Sequence, residues 1–358
     1  MTIPATGLIH FGIVVENAKA SAQEFARMYG IPNWRVTEYQ PDRTEIAVTR
    51  GFGAEHRFLV AEGRVSTEEG EVCFRLIEPR GGWSTYQEFL MQRGPGIHHV
   101  CTARITPAEF DTLQHWLATE NIEIAQHTRR AGGGSEITLD TRDALGGFYV
   151  QLLVEGDGGA EPAADETWTF DIAPGMEQGL LPLGTFQMHF GVVVFDLVKR
   201  VREWSRLFGL TDWNFVNWHT APGSLESPTN NGVPVNHAYF TTIATLGPSL
   251  AFEIIQPTFG PAHYRENFRD IVGEGIHHIN ATMLADREAW LEARDRMSAA
   301  GCEVVMSGDL AADTASFYYI DTKPKLGYVT EVVHPGSNWE NGAEVVKIAM
   351  SANLSASA

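Results

Sequence analysis

Two stretches decide how this chain is read: GPGIHHVCTAR at residues 94–104 and GEGIHHINATM at 273–283. Both place a Gly-Ile-His-His string at the start of a β-branched run, and they lie 179 residues apart. The same offset carries LIHFGIVVENAKASAQEFARMYGIPNW (8–34) onto QMHFGVVVFDLVKRVREWSRLFGLTDW (187–213) without a gap, pairing His10 with His189, Gly30 with Gly209 and Trp34 with Trp213. A repeat of this length means a tandem duplication. Its boundary falls in the Gly/Ala/Glu/Pro-rich EGDGGAEPAADE at 155–166.

Each half divides again. In the first, IHFGIVV reads as a strand, and Ala18 to Tyr29 carries Phe25, Met28 and Tyr29 at helical spacing. Gly30 caps that helix and Pro32 forbids its continuation. WRVTEYQ, HRFLVAEG and EVCFRLIEP then follow as strands, separated by Gly, Pro and Asp. The order βαβββ recurs three more times, beginning at GIHHVCTA, MHFGVVV and GIHHINATM. The expected class is therefore α+β: four βαβββ modules forming two curled mixed-sheet half-barrel pairs with helices outside. The expected partition is 1–155 (modules 8–80 and 96–155), a linker at 156–184, 185–336 (modules 187–258 and 275–335) and a fraying tail at 337–358.

Side chains alternate across a strand, so only one histidine of each His-His pair can face a cup. Alignment on HFGIVV selects His99 and His278, which join His10 and His189 as four inward histidines. The last strand of each module adds an oxygen donor: Glu78, Gln151, Gln256 and Glu331. Two imidazoles with oxygen donors suit Ni, Co, Mn, Fe or Zn, with coordination positions left for a bidentate substrate.

On these residues the chain resembles the vicinal oxygen chelate superfamily in a four-module form, and LAFEIIQP followed by GEGIHHI is similar to its epimerase branch. The resemblance implies a divalent metal held by first-strand and last-strand residues of two modules. Closure within each half makes the sites His10/Glu78/His99/Gln151 and His189/Gln256/His278/Glu331. Pairing across halves makes them His10/Glu78/His278/Glu331 and His99/Gln151/His189/Gln256. The activity implied is proton abstraction next to a carbonyl by an isomerase, epimerase or glyoxalase-type lyase, with Glu331 as the base. Alternation is expected to point Glu253 away from the cup. The alternatives are an Fe(II) extradiol-type dioxygenase using His189, His278 and Glu331, and a metal-free sequestering protein of the bleomycin-resistance kind.

Composition narrows the partners. With 45 acidic against 26 basic residues the formal charge is −19, which disfavours nucleic acid. No apolar run reaches the roughly 20 residues that span a bilayer, so a membrane partner is not expected, and the start lacks the basic segment of a signal peptide. A cytoplasmic protein acting on a small molecule is expected, with homodimerisation open. Cys73, Cys101 and Cys302 have no CxxC spacing and read as buried apolar residues. TAPGSLESPTNNGVPVN (220–236) reads as a long loop without an equal in the first half. Trp213, Phe215 and Trp218 read as core.

Overall fold

In a computed structural model, residues 1–67, 70–156, 163–183, 189–220, 223–247 and 250–339 are described, with the backbone of 346–349. The chain divides into two compact units: Met1–Asp143, Phe148–Gly179 and Lys325–Gly327 form one, and Ala144–Gly147, Leu180–Pro324 and Tyr328–Ala358 the other.

The first unit builds one sheet from β1 (His10–Val14), β2 (Asn33–Tyr39), β3 (Thr44–Thr49), β4 (Phe52–Gly53), β5 (Phe58–Thr67), β6 (Gly70–Pro79), β7 (Gly96–Ile105), β8 (Ile124–Arg130), β9 (Ser135–Leu139), β10 (Tyr149–Val154) and β11 (Glu166–Thr169). Their spatial order is β11-β2-β5-β6-β1-β7-β10-β9-β8-β3-β4. β1 runs parallel to β6 and antiparallel to β7, so the central seam joins the unit's two modules. The second unit repeats this with β12 (His189–Val193), β13 (Asp212–His219), β14 (Leu225–Asn230), β15 (Val233–Pro234), β16 (Ala238–Leu246), β17 (Leu250–Phe259), β18 (Gly275–Met283), β19 (Val304–Leu310), β20 (Ala315–Ile320), β21 (Val329–Pro335) and β22 (Val346–Ala349). Its order is β15-β14-β19-β20-β21-β18-β12-β17-β16-β13-β22. Each curled mixed sheet thus draws its modules from one half of the sequence.

Among the described residues the α-helices are α1 (Ala18–Tyr29), α2 (Thr85–Arg93), α3 (Pro107–Thr119), α4 (Arg142–Leu145), α5 (Leu197–Phe208), α6 (Asp270–Val272), α7 (Arg287–Ala299) and α8 (Lys323–Leu326). Helix α1 starts where the Asn17 side chain accepts from the Ala20 amide and stops at Gly30, φ 67°. Its Phe25 ring packs 5.1 Å from Phe74 of β6. In α5, Trp204 stacks 3.9 Å from Phe252 of β17. The three cysteines are buried and unbridged.

Two segments depart from expectation. Residues 225–234 are not a loop: β14 and β15 form a hairpin on the edge strand β19 of the fourth module. It has an equal, because β3 and β4 form the same hairpin on β8. Backbone pairing with a strand remote in sequence organises these segments, which carry no hydrophobic alternation of their own. In the expected tail, 346–349 pair with β13, and in the expected linker, 166–169 pair with β2. The remaining tail residues 340–345 and 350–358, linker residues 157–162 and 184, and loop residues 221–222 lie outside the described residues.

Candidate metal centre

The geometry of each cup begins with a glycine. In β12 the residue two beyond His189 is Gly191, which lies opposite His278 of β18. A Cβ at Gly191 would collide with the His278 ring, and one at Gly12 with the His99 ring. The H-x-G string therefore lets the cross-strand imidazole lie over bare backbone beside the first histidine. The ring centroids of His189 and His278 are 5.7 Å apart, and those of His10 and His99 5.3 Å.

In the second unit, Oε2 of Glu331 lies 3.2 Å from Nε2 of His189 and 3.4 Å from Nε2 of His278. Glu331 reaches this point because it is registered with Asn280 of β18, on the same face as His278. Donor atoms of all three residues fall within 4.8 Å of one another. A fourth group was not expected there: Oε2 of Glu253 lies 4.0 Å from His189 Nε2 and 3.9 Å from His278 Nε2. His278 Nε2 and Glu331 Oε2 are buried and make no hydrogen bond. Leaving such atoms unpaired costs on the order of 1–3 kcal/mol each, so the pair fits a cation that would accept both lone pairs.

Charge states agree with that fit. Burial lowers His278 to about 3, so its imidazole is neutral. Burial pushes Glu331 up, but the two flanking imidazoles and the Tyr319 hydroxyl more than offset this and hold it below the usual carboxylate range. Neutral imidazole and ionised carboxylate are the forms that bind metal. Glu253 goes the other way: burial raises it, the neighbouring Glu331 adds to the rise, and His189 opposes it. The Tyr319 and Tyr264 rings lie 4.9 and 6.4 Å from that of His278 and belong to a core cluster that also holds Tyr239, Ile255 and Phe317, with the Tyr264 hydroxyl donating to that of Tyr319 at 2.5 Å. Behind the cluster His278 meets His277, Nδ1 to Nδ1 at 3.1 Å, and His277 Nε2 meets His263 Nδ1 at 2.8 Å. A cavity of about 460 Å³ in this unit lies elsewhere, beside Ser307, Asp309, Tyr318 and His334.

Gln256 is corrected. Its Oε1 accepts from the Leu197 amide at 2.9 Å and anchors the start of α5. Parallel register sets His189 opposite Ala251 and Gly191 opposite Glu253, so alternation turns Glu253 inward and Gln256 outward. Glu78 is corrected for the same reason: its Oε2 accepts from the Ala18 amide at 2.8 Å at the start of α1. An oxygen acceptor there suits the helix N-terminus. Arg75, registered with Gly12, is the inward residue of β6.

The first unit brings His10, His99 and Gln151 together in a different state. His10 Nε2 is 3.1 Å from His99 Nε2 and 3.0 Å from Gln151 Oε1, and the Gln151 amide donates to the Tyr86 hydroxyl at 3.2 Å. These donors satisfy one another. Burial and then the Arg75 guanidinium hold His10 well below its ordinary value; burial, His98 and Arg75 do so for His99. Among the described residues, His10 and His99 meet the Gln151 amide and the field of the Arg75 guanidinium rather than an ionised carboxylate, a set that does not fit a second metal.

No protein-family model and no curated protein matches the sequence. Among solved structures, a triple mutant of 4-hydroxymandelate synthase from Streptomyces coelicolor is similar over 96% of this chain and 94% of its own, with a TM-score of 0.57 at 12% identity. The chain has the vicinal oxygen chelate fold. A Mn(II)-bound glyoxalase from Novosphingobium aromaticivorans matches at 13% identity over 92% and 82% of the two chains (TM-score 0.44). A methylmalonyl-CoA epimerase matches at 19% identity over 44% of this chain and 100% of its own (TM-score 0.30).

Within this vicinal oxygen chelate fold, the sequence pattern misplaces Gln256 and Glu78 and misses Glu253. Its face follows from the parallel pairing of His189 with Ala251, a register that no local sequence signal specifies. The neighbouring Gln-Pro and Glu-Pro dipeptides point to the wrong face. Trp213 is buried, with Nε1 donating to Ser205 Oγ at 2.9 Å. Trp218 is partly buried against the inner aromatic cluster. His237 contacts the Pro261 carbonyl at 3.2 Å and does not join the metal-ligand group. No described helix is long and apolar enough to cross a membrane.

Proposed function

We propose that the second unit is a divalent-metal-dependent enzyme that removes a proton next to a carbonyl: an isomerase, epimerase or glyoxalase-type lyase acting on a small molecule. One observation carries this reading. His189, His278 and Glu331 converge with two buried atoms unpaired, and a second buried carboxylate, Glu253, stands 3.9–4.0 Å from the imidazoles. His189, His278 and Glu331 would hold the cation, which when bound acts as a Lewis acid toward vicinal oxygens of the substrate. Ni, Co, Mn, Fe and Zn all suit these donors.

The base expected at Glu331 moves to Glu253. Glu331 sits between both imidazoles, where a ligand belongs, whereas Glu253 stands back from them and burial raises its proton affinity. Glu253 takes the proton and returns it. His277 fixes the ring of His278 through its other nitrogen. Tyr319 and Tyr264, with Phe317 and Ile255, keep the cup poor in water, which strengthens charge interactions inside it.

A second reading follows from the same cluster. Two histidines and one carboxylate also form the facial set of Fe(II) oxygenases, a set in which Glu253 has no part. The experiment combines metal analysis with NMR detection of solvent-deuterium exchange at the carbon next to the carbonyl, across a panel of 2-oxo thioesters and hemithioacetals, with and without oxygen. The proton-transfer reading expects one metal per chain, exchange that survives without oxygen, and loss of exchange with metal retained in Glu253→Gln. Oxygen consumption without exchange would establish the oxygenase, and a purified protein that takes up no metal would sink both.

A further inference from the structure

The first unit has a cavity of about 360 Å³ that the metal chemistry does not use. Arg35, Arg75, Arg104 and Arg130 line it together with Glu62, Glu136 and Glu155, Glu62 pairing with Arg35 and Arg75 and Glu136 with Arg75. Four guanidinium groups on one cavity are unexpected in a chain of net charge −19. The second unit does not carry them. Strand register sets Asn214 at the position of Arg35, Glu253 at that of Arg75, Met283 at that of Arg104 and Leu310 at that of Arg130. None of the four counterparts is basic.

Two of the arginines carry unmet donors. The Arg75 side chain is only 9% exposed and is held by Glu136 at 2.6 Å, and its Nε, 3.8 Å from Glu62 Oε2, makes no hydrogen bond. Arg130 is held by Asp165 at 2.6 Å through one terminal nitrogen, while the other is buried without a partner. Both guanidinium groups are thus held by carboxylates, Arg75 by Glu136 and Glu62 and Arg130 by Asp165, and each keeps one N–H without a hydrogen bond, the donor that an oxyanion would need. The cavity volume is that of a site for a small organic molecule.

We propose that the cup of the first unit binds a small organic anion through a carboxylate or phosphate group, with Arg75 and Arg130 as its principal donors and Arg35 and Arg104 supplying field at the rim. This site is independent of the metal reading of the second unit. Carboxylate and phosphate share the recognition chemistry, so the test uses both.

The full-length, metal-loaded protein is titrated with malonate and with inorganic phosphate at low ionic strength by calorimetry, and the tighter ligand identifies the source. One saturable site per chain is expected, weakened at least about tenfold, or roughly 1.4 kcal/mol, by Arg130→Leu and by Arg104→Met. Those changes install the second unit's own residues. Metal content and far-UV circular dichroism should stay unchanged; should Arg130→Leu fail to fold, Arg104→Met and Arg130→Lys carry the test. Absence of saturable binding of either anion by the unsubstituted protein up to about 10 mM, or binding that these variants leave untouched, overturns the proposal.

Discussion

The two cups of this chain share a backbone plan and a pair of inward histidines, and they differ in what stands beside them. In the first, Gln151 bridges to His10 and Arg75 occupies the neighbouring strand; in the second, Glu331 and Glu253 take those positions. The histidines of the first therefore bond to each other, while His278 and Glu331 of the second end in unpaired buried atoms. Two side-chain exchanges on one scaffold separate a hydrogen-bonded histidine pair from the cluster proposed as a cation site. The lesson is that an inward histidine is permissive, and the charge on its neighbours decides its use.

The sharpest way to break this comparison is at Glu331. Glu331→Gln, which copies the amide of the first cup, should weaken metal binding on the order of 100-fold or more, measured by metal titration. Glu78→Gln and Gln256→Ala should leave metal content unchanged, and loss of metal from either would return those residues to the site. The reciprocal exchange, Arg75→Glu with Gln151→Glu, should raise the metal content from one to two per chain; a folded double variant still holding one would show that neighbours' charge is not sufficient.

Acid should act on the first cup through its buried histidines. Burial lowers His98 to about 3 in the folded protein, against about 6.5 when unfolded. Below the unfolded value only the unfolded chain takes up this proton, so the stability is present above pH 6.5 and lost as pH falls toward 3. The expected loss is on the order of a few kcal/mol, read as urea midpoints against pH, and His98→Phe should flatten that dependence. Gly191→Ala should cost about 1–3 kcal/mol through the clash with His278 and lower metal affinity as well, whereas Gly12→Ala should cost stability alone. The smallest effect belongs to the helix anchors: Glu78→Ala and Gln256→Ala should each cost about 1 kcal/mol in denaturation, with no change in metal.

Much of this architecture is legible in the amino-acid order alone. The repeated HFG and GIHH strings locate the duplication, and the Ala18–Tyr29 helix with its Gly30 stop follows from local spacing and a left-handed cap. The four histidines are legible because each sits in a repeated string whose alternation assigns a face, and Glu331 because it is the oxygen donor in the last strand of its module. Glu253 is not, because its face depends on which residue of β17 lies beside Gly191, and the string itself reads equally well in either parity. The hairpins β3–β4 and β14–β15 are hidden because their partners, β8 and β19, lie far along the chain. The arginine-lined cavity is hidden for the same reason, its four guanidinium groups coming from four strands.

By itself the sequence determined the four-module pattern and the inward histidines, since periodicity and repetition are local properties of a chain, whereas which first strands pair along the seam came from the structure. Only the tertiary structure decided which acids, amides and cations stand beside those histidines. Strand register and the curl of each sheet bring together residues separated by up to about 140 positions, such as His189 and Glu331, and a shift of one residue reverses the face that every side chain presents.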